Sequence, residues 1–210
     1  MLNPEQILRY FLNDLDQILA YSRYNERWCA EESERYGKYL SHDDLAEMER
    51  YENRVDLSHS FEVLFPQISR HVLIVYLYGC LEDNLNQFCK SLKLVFKIEK
   101  DLKDAKGKGI HRIKDYISIY SPLTFPSKLQ EWQELNNIRR IRDKLVHTRG
   151  HLDDDNDKSL MNEIESSDKL VIYRHARIKI HIEREYLINF YNTVTMFYEL
   201  LIKELNTVDV

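Results

Sequence analysis

The sequence predicts a mainly α-helical bundle with a small β-hairpin inserted before a C-terminal helix. Only 5 Gly and 4 Pro occur among 210 residues, which favours long helices over frequent turns. Apolar residues recur every three or four positions through most of the chain, and one late segment alternates with a period of two. At 43% hydrophobic content the chain can bury a full core. We therefore expect one domain, with residues 1–60 as an N-terminal helical extension and residues 61–206 as the core.

Three helices are predicted in the N-terminal half. The first covers residues 4–24, with proline in its first turn and a single apolar stripe. A second, more charged helix covers residues 43–55. The third is a long central helix over residues 67–96, where leucine and phenylalanine repeat at helical spacing, and a polar break follows at residues 103–109.

The C-terminal half is predicted to hold three more helices and the hairpin. A short helix covers residues 110–120, and a longer one begins at Pro126 and ends at Gly150, because glycine commonly follows the last turn of a helix. Residues 170–182 alternate as strands do, and residues 183–206 form the closing helix. One face of the strand segment carries His175, Arg177, Lys179 and His181. That face either meets water or makes a secondary contact with an RNA backbone.

The charge and cysteine content restrict where and how the protein acts. Its net charge of −5 excludes a general polyanion binder, so any contact with RNA needs a local basic patch. The three cysteines, Cys29, Cys80 and Cys89, lack the paired spacing of a zinc site, which fits a reducing compartment. The longest apolar run, residues 72–81, is shorter than the roughly 20 residues that span a bilayer. We expect a cytoplasmic protein without membrane contact.

One segment concentrates the side chains that phosphate chemistry uses. Arg142 and His147 stand at the end of a predicted amphipathic helix, with four residues between them. A guanidinium stays charged and grips phosphate oxygens, and an imidazole both takes and gives a proton near neutral pH. The surrounding patch contains one acid, Asp143, and the basic residues Arg139, Arg140, Arg142, Lys144 and Arg149. These residue types suit phosphodiester cleavage.

The segment Arg142-Asp143-Lys144-Leu145-Val146-His147 resembles the signature of the HEPN superfamily, in which an arginine and a polar residue precede three variable residues and a histidine. Residues 76–89 also look like the aromatic and acidic helix that precedes this signature in several HEPN subfamilies. With order and spacing, the resemblance spans about residues 60–205. HEPN proteins are small and all-helical, and many are metal-independent ribonucleases of toxin–antitoxin, phage-defence and RNA-processing systems.

The resemblance implies an endoribonuclease that needs no metal and no cofactor. The ribose 2′-hydroxyl would attack the neighbouring phosphate and leave a 2′,3′-cyclic phosphate and a 5′-hydroxyl, so RNA is the substrate and DNA is spared. His147 is the candidate general base or acid. Arg142 is the candidate stabiliser of charge on phosphorus. Asp143 stands where the family more often has Asn, and this places a negative charge beside the phosphate.

Glu82 is a third candidate catalytic residue, because it lies on a polar line of the central helix and could orient Arg142 or His147. A carboxylate at the rim of the core, with no such role, is an equally good interpretation. The candidate substrate-binding residues are Arg139, Asp143, Lys144 and Arg149. For Arg139, a plain surface charge is the alternative.

Other interpretations stay open for the motif and for the whole chain. Arg142 and His147 can also be a structural pair at a helix end, where the dipole favours a cation. The chain can instead be a non-catalytic HEPN-like module that binds RNA, nucleotides or a protein partner, or a purely structural helical protein. The same spacing occurs a second time at Arg54 and His59, among acidic neighbours that disfavour phosphate.

The acidic run at residues 153–157 does not predict calcium binding. An EF-hand needs glycine where Lys158 stands and a bidentate glutamate where Ile164 stands. We therefore expect a solvated acidic loop and no metal ligands.

The active form is expected to be a two-fold homodimer that acts on RNA, with an antitoxin or defence-system protein as a further partner. Positions five apart on a regular helix point about 140° apart, so Arg142 and His147 of one chain do not project side by side unless the last turn unwinds. Facing motif helices would pair Arg142 of one chain with His147 of the other. The apolar neighbours Ile141, Leu145 and Val146 would seal such an interface.

Overall fold

The computed structural model describes residues 3–38, 55–174 and 177–208. These residues form six α-helices and one two-stranded antiparallel hairpin, which precedes the last helix. The predicted fold class, a helical bundle with a small hairpin, is confirmed. The predicted helix at residues 43–55, except its last residue, lies outside the described residues, as do Arg54 and His175.

The elements in chain order are α1 (Pro4–Lys38), α2 (Phe65–Val95), α3 (Ile110–Tyr120), α4 (Gln130–Thr148), α5 (Lys158–Glu165), β1 (Leu170–Arg174), β2 (Ile178–Ile182) and α6 (Arg184–Leu205). A π-helical turn at Ser60–Leu64 leads into α2, and a 3₁₀ turn at Leu102–Asp104 follows it. The helices predicted for residues 67–96, 110–120 and 183–206 correspond to α2, α3 and α6.

Helix α1 is longer than the sequence pattern predicts. Its apolar stripe fades after residue 24, but the chain contains no glycine or proline from there to Gly37. Ion pairs one turn apart, such as Lys38 with Glu34 and Arg27 with Glu31, accompany the extra turns. Good helix formers therefore carry α1 on to Lys38 without an apolar stripe.

The core lies where α1, α2, α4 and α6 pack together. Helix α2 buries the positions predicted to share one helical face, Leu77, Leu81, Leu85, Phe88 and Leu92. Helix α6 contributes Phe190, Val194, Phe197 and Leu201. Helix α1 adds Leu8, Phe11 and Leu15 to the same cluster. The predicted division into an extension and a core stays a prediction.

One continuous helical stretch among the described residues, Val55–Val95, is long and apolar enough to cross a membrane, judged by length and composition alone. The core helix of a soluble protein passes the same test. The most apolar 18-residue window of this stretch is 28% buried, and residues such as Leu81 and Leu85 on one face of the helix are fully enclosed in the core.

Helix α4 begins at Gln130, after a turn in which Pro126 accepts a hydrogen bond from the Leu129 N–H, and not at Pro126 as predicted. It ends at Thr148, and Gly150 follows in the left-handed region at φ 80°, as expected of a helix stop. A Cβ on Gly150 would lie 3.3 Å from Leu145 Cδ2. The backbone angle therefore favours glycine here, and any larger residue would also need Leu145 to shift by a few tenths of an ångström.

The hairpin packs on the turn that ends α4. β1 and β2 pair with Leu170 opposite Ile182, and Ile180 and Ile182 are buried. The Ile180 N–H donates to the Gly150 carbonyl at 2.9 Å. Backbone hydrogen bonds therefore tie the hairpin to the end of the motif helix.

Helix α5 is not among the predicted elements. It has only 8 residues, and the preceding acidic run leads the sequence pattern towards a loop. The available signal is the spacing of three buried residues, Leu160, Met161 and Ile164, which share one helical face.

Candidate functional site

Helix α4 places Arg142 against α2. Five apolar residues of α4 face the core, namely Trp132, Leu135, Ile138, Ile141 and Leu145. Their spacing fixes the rotation of the helix, and Arg142 then projects towards the polar edge of α2. The contact between α2 and α4 follows from the sequence pattern of both helices.

Arg142 is held by two carboxylates and an aromatic ring. Its Nη2 donates to Glu82 Oε2 at 2.9 Å, and its Nη1 donates to Asp143 Oδ1 at 2.8 Å. The guanidinium carbon lies 4.8 Å from the centre of the Tyr78 ring, within cation–π distance. The Arg142 side chain is 23% exposed and that of Glu82 is 25% exposed. This half-buried group is called the Arg142 cluster below.

Glu82 occupies a site shaped by a glycine. A Cβ on Gly109 would lie 2.4 Å from Glu82 Oε1, so any other residue beside the first turn of α3 would make the end of the Glu82 side chain move. Gly109 also has φ 54°, which other residues rarely adopt. Burial raises the pKa of Glu82, while Arg142 acts in the opposite direction and Asp143 adds to the rise.

Tyr78 forms the buried floor of the cluster. The residue is fully enclosed, and its hydroxyl has no hydrogen-bond partner in the described structure. Burial raises the pKa of Tyr78, and the nearby Glu82 acts in the same direction. The ring therefore serves Arg142 as an apolar and cation–π surface and stays a neutral phenol at physiological pH.

Two further side chains extend the cluster towards α3. Arg139 Nη1 donates to Asp143 Oδ2 at 3.2 Å, so one carboxylate links Arg139 and Arg142. The ring of His111 packs edge-on against Trp132 with 5.5 Å between ring centres, and the charge of Arg139 acts on it. Burial lowers the pKa of His111, and the charges of Arg139 and Lys114 lower it further.

Sequence reasoning missed His111. It stands 31 positions before Arg142 on another helix, and no spacing rule relates the two residues. The available signal is its place at the start of α3, directly after a glycine-containing polar break. His111 is exposed, so it can meet a substrate that approaches Arg139.

His147 lies in a different environment from Arg142. It is exposed and makes no hydrogen bond or ion pair with the residues that the structure describes. Arg142 points inwards to α2, whereas His147 lies on the outer side of the last turn. The structure therefore does not bring the two motif residues together within one chain, as the predicted angle of about 140° between them requires.

Most cations of the predicted basic patch are paired with acids that lie elsewhere in the sequence. Arg140 pairs with Glu163 of α5, and Lys144 Nζ lies 2.7 Å from Asp157 Oδ1. Asp157 is 8% exposed at its side chain, so this ion pair is largely shielded from solvent. Of the five basic residues, Arg149 is exposed and has no such partner among the described residues. The patch is consequently less positive than its sequence indicates.

The acidic run makes hydrogen bonds within its own loop. Asp153 Oδ1 accepts the backbone N–H groups of Asp155 and Asn156, and Asp157 accepts the N–H of Asp153. Across residues 3–38, 55–174 and 177–208 no group of three or more His, Cys, Asp or Glu side chains is placed to hold a metal ion. Asp157 is buried, so the expectation of a fully solvated loop is wrong at that residue.

The predicted dimer seam needs a correction at two of its three apolar residues. Ile141 is 1% exposed and Leu145 is 7% exposed, because both pack into the core of their own chain. Only Val146, at 47% exposed, is available to a partner. Ile141 and Leu145 therefore do not seal an interface between two motif helices.

The basic face of the hairpin is partly occupied from within the chain. His181 Nε2 lies 2.8 Å from Gln67 Nε2 and 3.6 Å from Glu183 Oε1. Beneath the neighbouring Gly150 turn lies His71, whose Nε2 is buried without a partner. Burial lowers the pKa of His71 to about 4. His71 and His181 thus contribute to packing between α2 and the hairpin.

The chain matches no known protein family, no curated protein and no solved structure. The resemblance to the HEPN superfamily therefore rests on the motif segment and on residues 76–89, and it stays a prediction.

Proposed function

We propose that the protein is a metal-independent endoribonuclease of the toxin or phage-defence type, acting on RNA in the cytoplasm. The observation that carries the proposal is the Arg142 cluster, a guanidinium fixed by Glu82 and Asp143 on the helix that ends with an exposed His147. A cation that is held in place before the substrate arrives stabilises developing charge without reorganisation. The resemblance of the motif to HEPN ribonucleases supports the same function.

Arg142 keeps donors available for a phosphate. A guanidinium has five N–H donors, and the contacts with Glu82 and Asp143 use one hydrogen each on Nη2 and Nη1. The other three donors would bind the non-bridging oxygens, and the side chain is 23% exposed, so part of it is open to a phosphate. Glu82 would act as a positioning residue, because it holds Arg142 and need not touch RNA.

The proposed reaction is an internal transesterification. The 2′-oxygen attacks phosphorus and gives its proton to a general base, and the bond from phosphorus to the 5′-oxygen breaks. That oxygen receives a proton from a general acid. The products are a 2′,3′-cyclic phosphate and a 5′-hydroxyl, so no co-reactant is consumed. An imidazole near Arg142 would provide the base or the acid.

Two histidines are candidates for that imidazole. His147 of a second chain could reach Arg142 if the ends of two α4 helices face each other, with Arg149 of either chain as an additional phosphate contact. The charge of Arg139, which shares Asp143 with Arg142, acts on His111 of the same chain. Its lowered pKa favours the neutral ring that a general base requires at pH 7.

The test uses total cellular RNA and purified protein in EDTA. We expect cleavage to 2′,3′-cyclic phosphate ends, and a loss of roughly 10²- to 10⁴-fold when the acting histidine is replaced by alanine. His147→Ala and His111→Ala are compared with His59→Ala, a matched control at an exposed histidine. Cleavage that requires magnesium, or that survives both His147→Ala and His111→Ala, contradicts the proposal.

A mixing experiment separates the two sources of the imidazole. Chains with Arg142→Ala are combined with chains with His147→Ala. If the site is shared between chains, a mixed dimer has one intact site, and activity returns to about a quarter of the wild-type value after random exchange. If His111 is the imidazole, His147→Ala chains are active on their own, before any mixing. If both single variants are inactive and a verified mixed dimer also stays inactive, the site is not shared between chains and His111 alone does not supply the imidazole.

A non-catalytic module that binds RNA, nucleotides or a protein partner is the second candidate. The ion pairs of Arg140 and Lys144 favour it, because they leave a weak basic patch for a nuclease. Expression in a host distinguishes the two functions. A ribonuclease toxin slows growth, Arg142→Ala relieves the effect, and an antitoxin would be isolated with the wild-type chain. Equal growth with both chains, together with RNA binding without cleavage, favours the module.

A further inference from the structure

Residues 103–114, which connect α2 to α3 and include the start of α3, carry a dense positive charge. The segment contains one acidic residue, Asp104, and five basic residues, so its net charge is +4, whereas that of the whole chain is −5. The basic residues are Lys103, Lys106, Lys108, Arg112 and Lys114. Residues 103–114 are called the basic segment below.

Most cations of the basic segment have no acidic partner. Lys103 lies 3.9 Å from Asp101. The other four basic residues form no ion pair within residues 3–38, 55–174 and 177–208. Asp115 accepts the backbone N–H of Lys106 at 2.7 Å and does not pair with an ammonium group. Because Arg140 and Lys144 of α4 are paired with acids, the basic segment provides the unpaired positive charge that the motif helix lacks.

Two glycines leave the backbone of the basic segment accessible between the lysines. Gly107 and Gly109 are exposed and have φ angles of 86° and 54°. The N–H groups of Gly107, Lys108 and Gly109 donate to no acceptor in the part of the chain that the structure describes. Arg112 Nε donates to the Gly107 carbonyl at 3.1 Å and holds this loop against α3. Main-chain N–H groups and ammonium groups can therefore bind the same anion.

The basic segment adjoins the Arg142 cluster. Gly109 lies against the carboxylate of Glu82, and Glu82 accepts a hydrogen bond from Arg142 at 2.9 Å. Lys108 is the chain neighbour of Gly109, and both Lys106 and Lys108 are exposed. A polyanion that places one phosphate at Arg142 therefore brings its neighbouring phosphates to these lysines.

The side chains between the cations fit a nucleic acid better than a protein partner. Ala105, Ile110 and Ile113 are buried, so they offer no apolar anchor of the kind that dominates protein interfaces. His111 is exposed, and its ring packs edge-on against Trp132. Bases of single-stranded RNA stack on such rings, and cations around a ring are typical of proteins that bind single strands.

We propose that the basic segment binds the phosphate backbone of single-stranded RNA beside the Arg142 cluster, with Lys106 and Lys108 as phosphate-binding residues. Contacts with phosphates do not depend on the base sequence and weaken with salt. That the bound strand is also the strand cleaved at Arg142 rests on the proposed ribonuclease function. The lysines hold the strand and take no part in breaking a bond.

Binding is tested with a fluorescent 2′-O-methyl RNA of about 12 nucleotides, a common site size. Its blocked 2′-oxygens prevent cleavage. In the double variant Lys106→Gln/Lys108→Gln we expect affinity to fall about 10-fold. The slope of log Kd against log salt should fall by about 1.4, because two phosphate contacts are lost. Arg23→Gln/Arg184→Gln, which removes two exposed arginines from α1 and α6, is the matched control and should bind as the wild type does.

Circulared dichroism checks that both double variants stay helical. RNA affinity and salt slope that are unchanged in the lysine variant overturn the proposal. An equal loss in the arginine control would assign the effect to overall charge and would overturn it too. Lysine-dependent binding of polyglutamate by a chain that does not bind RNA would identify an acidic protein as the partner instead.

Cleavage assays separate the basic segment from the ribonuclease function. In the lysine variant KM for cleavable RNA should rise about 10-fold with little change in kcat, because binding common to the ground state and the transition state is lost. Lysine-dependent RNA binding without any cleavage keeps the RNA site and contradicts the ribonuclease function. Cleavage with an unchanged KM in the lysine variant keeps the ribonuclease function and contradicts the RNA site.

Discussion

Arg142 and His147 lie near the same end of α4, yet their side chains differ in burial and in contacts. Arg142 is 23% exposed and contacts Glu82, Asp143 and the ring of Tyr78. His147 is exposed and contacts no polar group of the described residues. The difference shows that the fold fixes the position of the arginine, whereas no side chain among residues 3–38, 55–174 and 177–208 fixes the orientation of the histidine.

The largest expected effect on stability comes from Arg142→Ala. The substitution leaves the half-buried carboxylate of Glu82 without its cation and should lower the free energy of unfolding by about 2 kcal/mol. His147→Ala should change it by less than about 0.5 kcal/mol, because the side chain is exposed. Urea denaturation measures both values.

A double-mutant cycle shows whether the unpaired carboxylate of Glu82 causes the loss of stability in Arg142→Ala. In a Glu82→Gln background, Arg142→Ala should cost clearly less than in the wild-type background, because no buried carboxylate is left unpaired. Arg149→Ala is the control for removing an arginine without a partner. Equal costs for Arg142→Ala and Arg149→Ala would mean that the Arg142 cluster contributes nothing to stability.

The second effect is a loss of stability at acidic pH. It is caused by His71, which lies beneath the turn that ends α4. The pKa of His71 is lowered from 6.5 to about 4 by burial, with Lys179 and His181 acting in the same direction. As the pH falls, this histidine therefore binds a proton in the unfolded chain before it does so in the folded protein. The contribution of His71 to the free energy of unfolding is present above pH 6.5 and is lost as the pH falls towards 4. We expect a loss of about 2 kcal/mol between about pH 7.5 and about pH 5.

His71→Gln isolates this contribution. Glutamine can keep the hydrogen bond to the Ile180 carbonyl but does not titrate. Urea denaturation at both pH values should show a smaller acid loss in the variant than in the wild-type chain. An unchanged acid sensitivity would assign the loss to other groups.

A smaller effect is expected at the turn after His147. Gly150→Ala would put a Cβ at φ 80° and 3.3 Å from Leu145 Cδ2, at a cost of about 1 to 2 kcal/mol. Thermal unfolding measures the change. If the melting temperature does not fall, the turn is not a rigid end to α4, and His147 is more mobile than its helix indicates.

The smallest effect is a gain in stability from Arg149→Gly. Arg149 has φ 55° without being glycine, and it has no ion pair among the described residues. Glycine at this position should stabilise the protein by about 0.5 to 1 kcal/mol. RNA binding measured in parallel shows whether Arg149 contributes to substrate affinity. A loss of stability would reveal a contact of Arg149 beyond its backbone.

The helices that are long and strongly periodic could be predicted from the sequence. Leu77, Leu81 and Leu85 share one face and are buried, and Gly150 marks the end of α4. Periodicity predicts neither the C-terminal end of α1 nor the existence of α5. The later turns of α1 are held by ion pairs and propensity, and α5 is too short for a clear pattern next to an acidic run.

The candidate site was less accessible to prediction than the fold. Glu82 could be related to Arg142 because both residues lie on polar lines of helices expected to pack together. The ion pairs of Arg140 with Glu163 and of Lys144 with Asp157 depend on α5 and its preceding loop, which the pattern did not define. His111 depends on the packing of α3, for which no spacing rule exists.

Gly109 has a consequence for how this protein and its relatives can change. A Cβ there would lie 2.4 Å from Glu82 Oε1, so the carboxylate that holds Arg142 would have to move. Substitutions at positions 109 and 82 should therefore be coupled across homologous sequences. Chains that lose the glycine should carry a shorter residue in place of the glutamate. In those chains the arginine would lack the ion pair with a glutamate at position 82. Covariation between positions 109 and 82 would therefore show which homologues keep the Arg142 cluster and which have lost it.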